Sequence, residues 1–195
     1  FTIALMPILG IGGMQLFKAE VPGPVTEKIK PRVAETARRL WLVYVGFTVL
    51  EALALWFAGL SGFDAICHAL TTLSTGGFST RSDSVGSFDS ATVEWIVIVF
   101  MLLAGINFVL HYKLLAGRVK DFFEDRELRY FLGLVALAMA SITLFMWNRG
   151  SADGAEPALR SVLFTVVSLS TGTGYATVNF ELWPAFGHIV LLILM

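Results

Sequence analysis

Two short strings hold the residues best suited to chemistry. The first is Thr71-Thr72-Leu73-Ser74-Thr75-Gly76-Gly77-Phe78-Ser79-Thr80; the second is Ser168-Leu169-Ser170-Thr171-Gly172-Thr173-Gly174-Tyr175-Ala176-Thr177. Each contains Leu-Ser-Thr-Gly, then a glycine before an aromatic, then a small residue and Thr. What they offer is oxygen. A cation that sheds its water needs a ring of oxygens in exchange, and main-chain carbonyls supply one if consecutive carbonyls face a common axis. An extended strand of L-residues alternates its carbonyls, so some positions must take left-handed angles, which glycine adopts at no steric cost. Gly76, Gly77, Gly172 and Gly174 meet that need. With Ser74, Thr75, Phe78, Thr171, Thr173 and Tyr175 they form two candidate ion-binding loops. Phe78 and Tyr175 are expected to pack behind the loops and hold their width.

Other chemistries fit less well. His68, His111 and His188 are scattered over three segments, and no His-Glu-x-x-His string occurs. Gly172-x-Gly174 lacks the third glycine of a dinucleotide fingerprint, since Thr177 stands there, and no Gly-Lys-Ser/Thr follows. The single cysteine, Cys67, excludes an internal disulfide and argues against a thiolate cluster. His68 and Cys67 read as packing residues.

The elements that would present such loops are legible. Ser61-x-x-Asp64 is a capping-box-like start for a helix from about residue 63 to 74. That helix is too short to span a bilayer and stops at the glycines. It reads as a re-entrant element, whose bare backbone is tolerated only inside protein or against a water-filled cavity. Its C-terminal end carries roughly half a negative charge and points at the loop. Pro157 suits the first turn of a second such helix, ending near Leu169. Apolar runs over 40–60, 93–115 and 130–147 are long enough to span, and 183–195 begins another. Residues 1–17 read as the end of a membrane helix, where Gly10, Gly12 and Gly13 allow close helix packing.

The order of long helix, short helix, glycine loop and long helix thus occurs once in full and once nearly so. It is an internal repeat with its Leu-Ser-Thr-Gly strings 96 residues apart. The predicted divisions are 1–39, the end of one repeat plus a cytoplasmic loop; 40–115, a complete repeat; 116–129, a charged cytoplasmic connection; and 130–195, a further repeat cut off in its inner helix. The fold class is all-α, a polytopic integral membrane protein of repeated helix–pore helix–filter loop–helix units around a central pore. The chain is expected to be an internal, partial copy.

Composition agrees. Of 195 residues, 56% are hydrophobic and 15% charged, and mean hydropathy is +0.74. A soluble domain carries about 25% charged residues. Eleven of the 14 Lys and Arg residues fall in 18–39 and 113–129, which the positive-inside rule makes cytoplasmic. The loops then open outward, on a side with a modest acidic excess. Glu51 lies mid-span, where a carboxylate costs roughly 2.5–3.5 kcal/mol. It is expected to be a buried, hydrogen-bonded packing residue, with a cation or proton site as the alternative.

Thr75-Gly76-Gly77-Phe78-Ser79 and Gly172-Thr173-Gly174-Tyr175-Ala176 resemble degenerate forms of the potassium-channel filter string Thr-Val-Gly-Tyr-Gly. Together with Gly-Ile-Gly-Gly-Met-Gln-Leu-Phe over 10–17, Phe-Asp-Ala-Ile-Cys-His-Ala over 63–69 and Ile-Asn-Phe over 106–108, they are similar to the Trk/Ktr/HKT potassium transporters over essentially the whole chain. The resemblance implies four repeats around one pore, with potassium as transported substrate at filter carbonyls and no cofactor. It implies a homodimer embedded in lipid in the bacterial inner membrane, no nucleic-acid partner, and a cytoplasmic nucleotide-binding regulatory subunit, TrkA-like, docked on the basic loops. It also implies one key glycine per loop: Gly77 and Gly174 if the Gly-aromatic pairs are aligned, Gly76 and Gly172 if the Leu-Ser-Thr-Gly strings are. A sodium- or proton-coupled cation transporter of the same family, or a structural membrane subunit without a pore, are the alternatives.

Overall fold

The structure is a computed structural model that describes residues 30–148, 155–180 and 183–194. The expectations for residues 1–29, including the glycines at 10, 12 and 13, lie outside the described residues, as do those for 149–154 and Glu181. In chain order the helices are α1 (Lys30–Phe57), α2 (Gly62–Leu73), α3 (Ala91–Gly105), α4 (Phe108–Leu115), α5 (Val119–Phe123), α6 (Arg126–Asn148), α7 (Ala155–Ser170) and α8 (Ala185–Leu194), with a 3-10 turn at Ser84–Phe88 between α2 and α3. The described residues contain no strand.

The chain divides into two compact units, Phe1–Gly46 and Phe47–Met195. The described part of the first is the opening of α1, where Arg39 and Glu35 pair one turn apart. The second holds the candidate loops. Its core gathers Leu55, Val97, Met101, Ile142, Phe164 and Tyr175. There α7 packs against α3 and α6, and α2 packs against α3. Two stretches are long and apolar enough to cross a membrane, Ala37–Phe57 and Arg126–Trp147.

The span expected over 93–115 is not continuous. It is α3 plus α4, bent by 98°. Ile106 takes an extended conformation (φ −87°, ψ 141°), and Asn107 opens α4 by accepting the Val109 N–H on its side chain at 3.0 Å. A broken helix leaves carbonyls without partners. At this break the Leu103 carbonyl accepts the Ile106 N–H at 3.3 Å, and His111 adds a second bond across it, donating from Nε2 at 2.9 Å. The bend is therefore capped on one side and stitched on the other. Its hydropathy ran on unbroken, so pattern alone hid it.

Candidate ion-binding loops

The first loop is anchored at the start of its helix. Ser61 caps α2, accepting the Asp64 N–H on its hydroxyl at 3.1 Å and donating to the Asp64 carboxylate at 2.9 Å. The same carboxylate accepts Thr80 Oγ1 at 2.5 Å and Arg81 Nη2 at 3.2 Å. Asp64 thus joins the head of α2 to the exit of the loop sixteen residues on. The Thr80 hydroxyl first, then the Ser61 hydroxyl and the Arg81 guanidinium, hold its carboxyl below the usual aspartate range.

Both loops turn off their helices in the same way. Thr75 and Gly77 have positive φ (51° and 65°), and so do Gly172 and Gly174 (72° and 82°). These positions correspond at an offset of 97 residues. The hydrogen bonds repeat at the same offset. Gly77 N–H donates to Thr71 O at 3.3 Å, and Gly174 N–H to Ser168 O at 3.2 Å. Thr71 Oγ1 donates to Phe78 O at 2.8 Å, and Ser168 Oγ to Tyr175 O at 2.7 Å. The loops therefore correspond through their Gly-aromatic pairs and not through Leu-Ser-Thr-Gly, whose copies stand one position out of step. Gly76, expected to be left-handed, is not. Thr75 takes that conformation instead. The hydrogen bonds that shape the loops leave the carbonyls of Gly76, Gly77, Gly172, Thr173 and Gly174 unengaged. Ser74 ends α2 as its C-cap, and its carbonyl accepts the Thr75 hydroxyl at 2.8 Å.

The loops meet each other. A Cβ added to Gly77 would lie 1.8 Å from the Thr173 carbonyl oxygen, so only glycine fits there. Gly76 meets nothing nearer than 3.3 Å, and Gly174 has open space. Thr173 is buried, its hydroxyl 2.8 Å from that of Thr171. Thr171 in turn lies against α3 at Gly105, where a Cβ would come within 2.8 Å of its methyl group.

The two aromatics differ. Tyr175 is buried as expected; with the Thr71 proton on Phe78 O, the Tyr175 hydroxyl donates to Thr71 Oγ1 at 2.5 Å and lies 3.3 Å from His68 O, which ties the second loop to α2. Phe78 does not pack behind its loop; it is 77% exposed, and no element covers it among the described residues. His68 is buried in α2. Its Nδ1 must donate to the Asp64 carbonyl at 2.7 Å, which leaves Nε2 facing Ser79 Oγ at 3.0 Å. It is a packing residue with a second task, holding the loop exit.

Sequence reading missed the support behind the second loop. Residues 81–92 read only as a polar exit, yet their 3-10 turn docks there: Gly86 N–H donates to Ala176 O at 3.1 Å, and Ala176 N–H to Ser84 Oγ at 3.2 Å. A Cβ at Gly86 would stand 2.7 Å from Thr177 O. The small residues around Gly86 were the available signal. Some of the charge on the elements that carry the loops is paired. Arg160 of α7 bonds Glu94 of α3 at 2.8 Å and Glu156 at 2.6 Å. Glu51 is fully buried, but neither carboxyl oxygen has a hydrogen-bond partner among the described residues, which corrects the expectation of a bonded packing residue.

The family model described as TrkH, a cation transport protein, matches residues 1–195. The chain is 47% identical over 193 residues to the Trk system potassium uptake protein TrkH of Salmonella typhimurium strain LT2, and 45% identical to that of Escherichia coli K12, covering 98% of this chain and 40% of each relative. It spans about 40% of the length of the curated relatives it matches. The crystal structure of the potassium transporter TrkH from Vibrio parahaemolyticus aligns over 99% of this chain and 39% of its own, with a TM-score of 0.80 and 37% identity.

Proposed function

The chain belongs to the TrkH family of cation transport proteins, and from that premise we propose that it takes part in potassium uptake through a membrane pore. Main-chain carbonyls of Ser74–Phe78 and Thr171–Tyr175 would replace the ion's water. The observation that carries this reading is the shared backbone of the two loops, left-handed at Thr75 and Gly77 and again at Gly172 and Gly174. Such angles bring successive carbonyls toward one side, and each loop sits at the negative end of a short helix. Under this reading Gly77 and Gly174 are the filter glycines. Residues 40–115 and 130–195 are successive pore repeats, 116–129 is a cytoplasmic connection, and 1–39 closes a preceding repeat. The proposal extends to a homodimer in the bacterial inner membrane, with basic loops cytoplasmic, loops 74–78 and 171–175 opening outward, and a nucleotide-binding TrkA-like subunit on the basic side. Potassium as cargo is supported by the names of the relatives.

The test is uptake by the full-length protein in cells lacking their own potassium systems. Growth at low potassium is expected with wild type. Gly77→Ser drives a side chain into the Thr173 carbonyl and should lower potassium selectivity over sodium. Gly76→Ser, where space exists, should lower it less. Equal effects at the two glycines would remove Gly77 as the filter position.

A further inference from the structure

The two loops share a backbone, yet their exits are held by different means. In the first repeat the hold is local. The Asp64 carboxylate accepts Thr80 and Arg81, and His68 Nε2 accepts the Ser79 hydroxyl at 3.0 Å. At the 97-residue offset Ser161 stands for Asp64, Thr165 for His68, Ala176 for Ser79 and Val178 for Arg81. These residues do not remake the clamp. Ser161 donates to Pro157 O at 2.9 Å and Thr165 to Ser161 O at 2.9 Å, so both hydroxyls turn back into α7. Ala176 and Val178 carry no polar side chain. Thr177, the counterpart of Thr80, keeps a buried hydroxyl with no hydrogen-bond partner among the described residues.

The hold on the second exit comes instead from the preceding repeat. Ser84 Oγ accepts the Ala176 N–H at 3.2 Å, and Gly86 N–H donates to Ala176 O at 3.1 Å. Both main-chain groups of Ala176 are thus taken. With Ser168 on the Tyr175 carbonyl at 2.7 Å, the backbone directly after Gly174 is fixed at three successive polar groups. The 3-10 turn that supplies two of these bonds is itself anchored. Val85 is buried in the core, and the Phe88 ring meets the His68 ring edge-on at 5.2 Å. The fit leaves no slack, since a Cβ at Gly86 would stand 2.7 Å from Thr177 O.

We propose that Ser84 and Gly86 are positioning residues for ion selection: from one repeat they hold Ala176 and so set where the carbonyls of Gly172, Thr173 and Gly174 stand in the next. This rests on the conduction reading above. A first repeat with its own clamp and a second with a borrowed one make the turn over 84–88 a specificity element and not only a connection.

The experiment uses the full-length protein in liposomes, with rubidium and sodium flux compared. Ser84→Ala removes the acceptor and leaves the Ala176 N–H without it. Gly86→Ala drives a methyl group toward Thr177 O. Each is expected to lower rubidium-over-sodium selectivity by about fivefold, a modest coupling between sites. Ser87→Ala is the control. Its hydroxyl donates to Ser84 O at 2.8 Å within the turn, and Ser87 is exposed, so selectivity should stay near wild type. Wild-type selectivity in either Ser84→Ala or Gly86→Ala overturns the inference. So does a loss in Ser87→Ala as large as in Ser84→Ala, for then the folding of the turn matters and not its grip on Ala176. Rubidium and sodium flux falling together, with their ratio kept, would mark a merely structural turn and overturns it too. Should Gly86→Ala fail to insert, Ser84→Ala decides alone by the same criteria. Absence of selective flux in wild type overturns the conduction reading and this inference with it, whereas selective flux in wild type with unchanged variants overturns the inference only.

Discussion

Thr75 is the most informative single residue. It is β-branched and holds a φ of 51°, a conformation that costs an L-residue roughly 1–2 kcal/mol. Its counterpart at the same turn is Gly172, which has no such cost. The two loops therefore reach one backbone shape with different residues. Thr75→Gly removes the strain but frees the unfolded chain, which offsets about 0.5–1 kcal/mol. It is expected to be neutral to slightly stabilising. Gly172→Thr is expected to destabilise by roughly 1–2 kcal/mol. Thermal unfolding of the full-length protein in detergent checks both, and destabilisation by Thr75→Gly would show that the Thr75 contacts outweigh its strain. Residue type offered Gly76 as well as Gly77, because Leu-Ser-Thr-Gly and the Gly-aromatic pair give two alignments. Backbone angles are instead counted from the end of the helix, and there the repeat runs at 97 residues. The same limit separates Phe78 from Tyr175: like residues in like positions, one exposed and one buried. Tyr175 owes its burial to His68 and Thr71, about a hundred residues earlier in the chain.

At the scale of the element, α2 was legible because its signals are local. Ser61 and Asp64 mark its start, and the glycines its end. The structure adds that Asp64 also grips Thr80 and Arg81, so the helix and its loop are closed at both ends. This has a pH signature. The Asp64 carboxyl is held below its ordinary range, foremost by the Thr80 hydroxyl. Its contribution is therefore fully present above the unfolded value of about 3.9, and is lost as pH falls through the lower folded value. The unfolding temperature of wild type is expected to exceed that of Asp64→Asn at neutral pH. The gap should close on acidification below about pH 3.9. A gap independent of pH would mean that the carboxylate charge is not what Thr80 and Arg81 respond to. By contrast, the α3–α4 break was illegible, because apolar residues run on through Ile106. Only Gly105 and Asn107 hinted at it, and the partner that makes it stable, His111, lies a full turn inside the next helix.

The whole molecule is organised by where its charge and its carbon can go. Large apolar side chains face outward on α1 and α6, among them Phe57, Leu137, Leu144 and Trp147 at 63–80% exposure. Such a surface calls for lipid or neighbouring helices. On the proposed orientation the basic segments 18–39 and 113–129 would be cytoplasmic and the exit of the first loop would face outward. The orientation can be read with single cysteines in a full-length protein whose Cys67 is replaced by alanine. Ser82, in the exit of the first loop, and Lys120, in α5, are both exposed, so each thiol is reachable from its own side. A membrane-impermeant maleimide should label Ser82→Cys on intact cells, and Lys120→Cys only after the membrane is opened. The reverse pattern would turn the loops toward the cytoplasm, where the negative ends of α2 and α7 would await an ion on its way out. Labelling of both sites on intact cells would mean that the bent α3–α4 pair does not cross at all. The two basic segments would then lie on opposite sides, and the repeat drawn from residues 40–115 would lose its second wall.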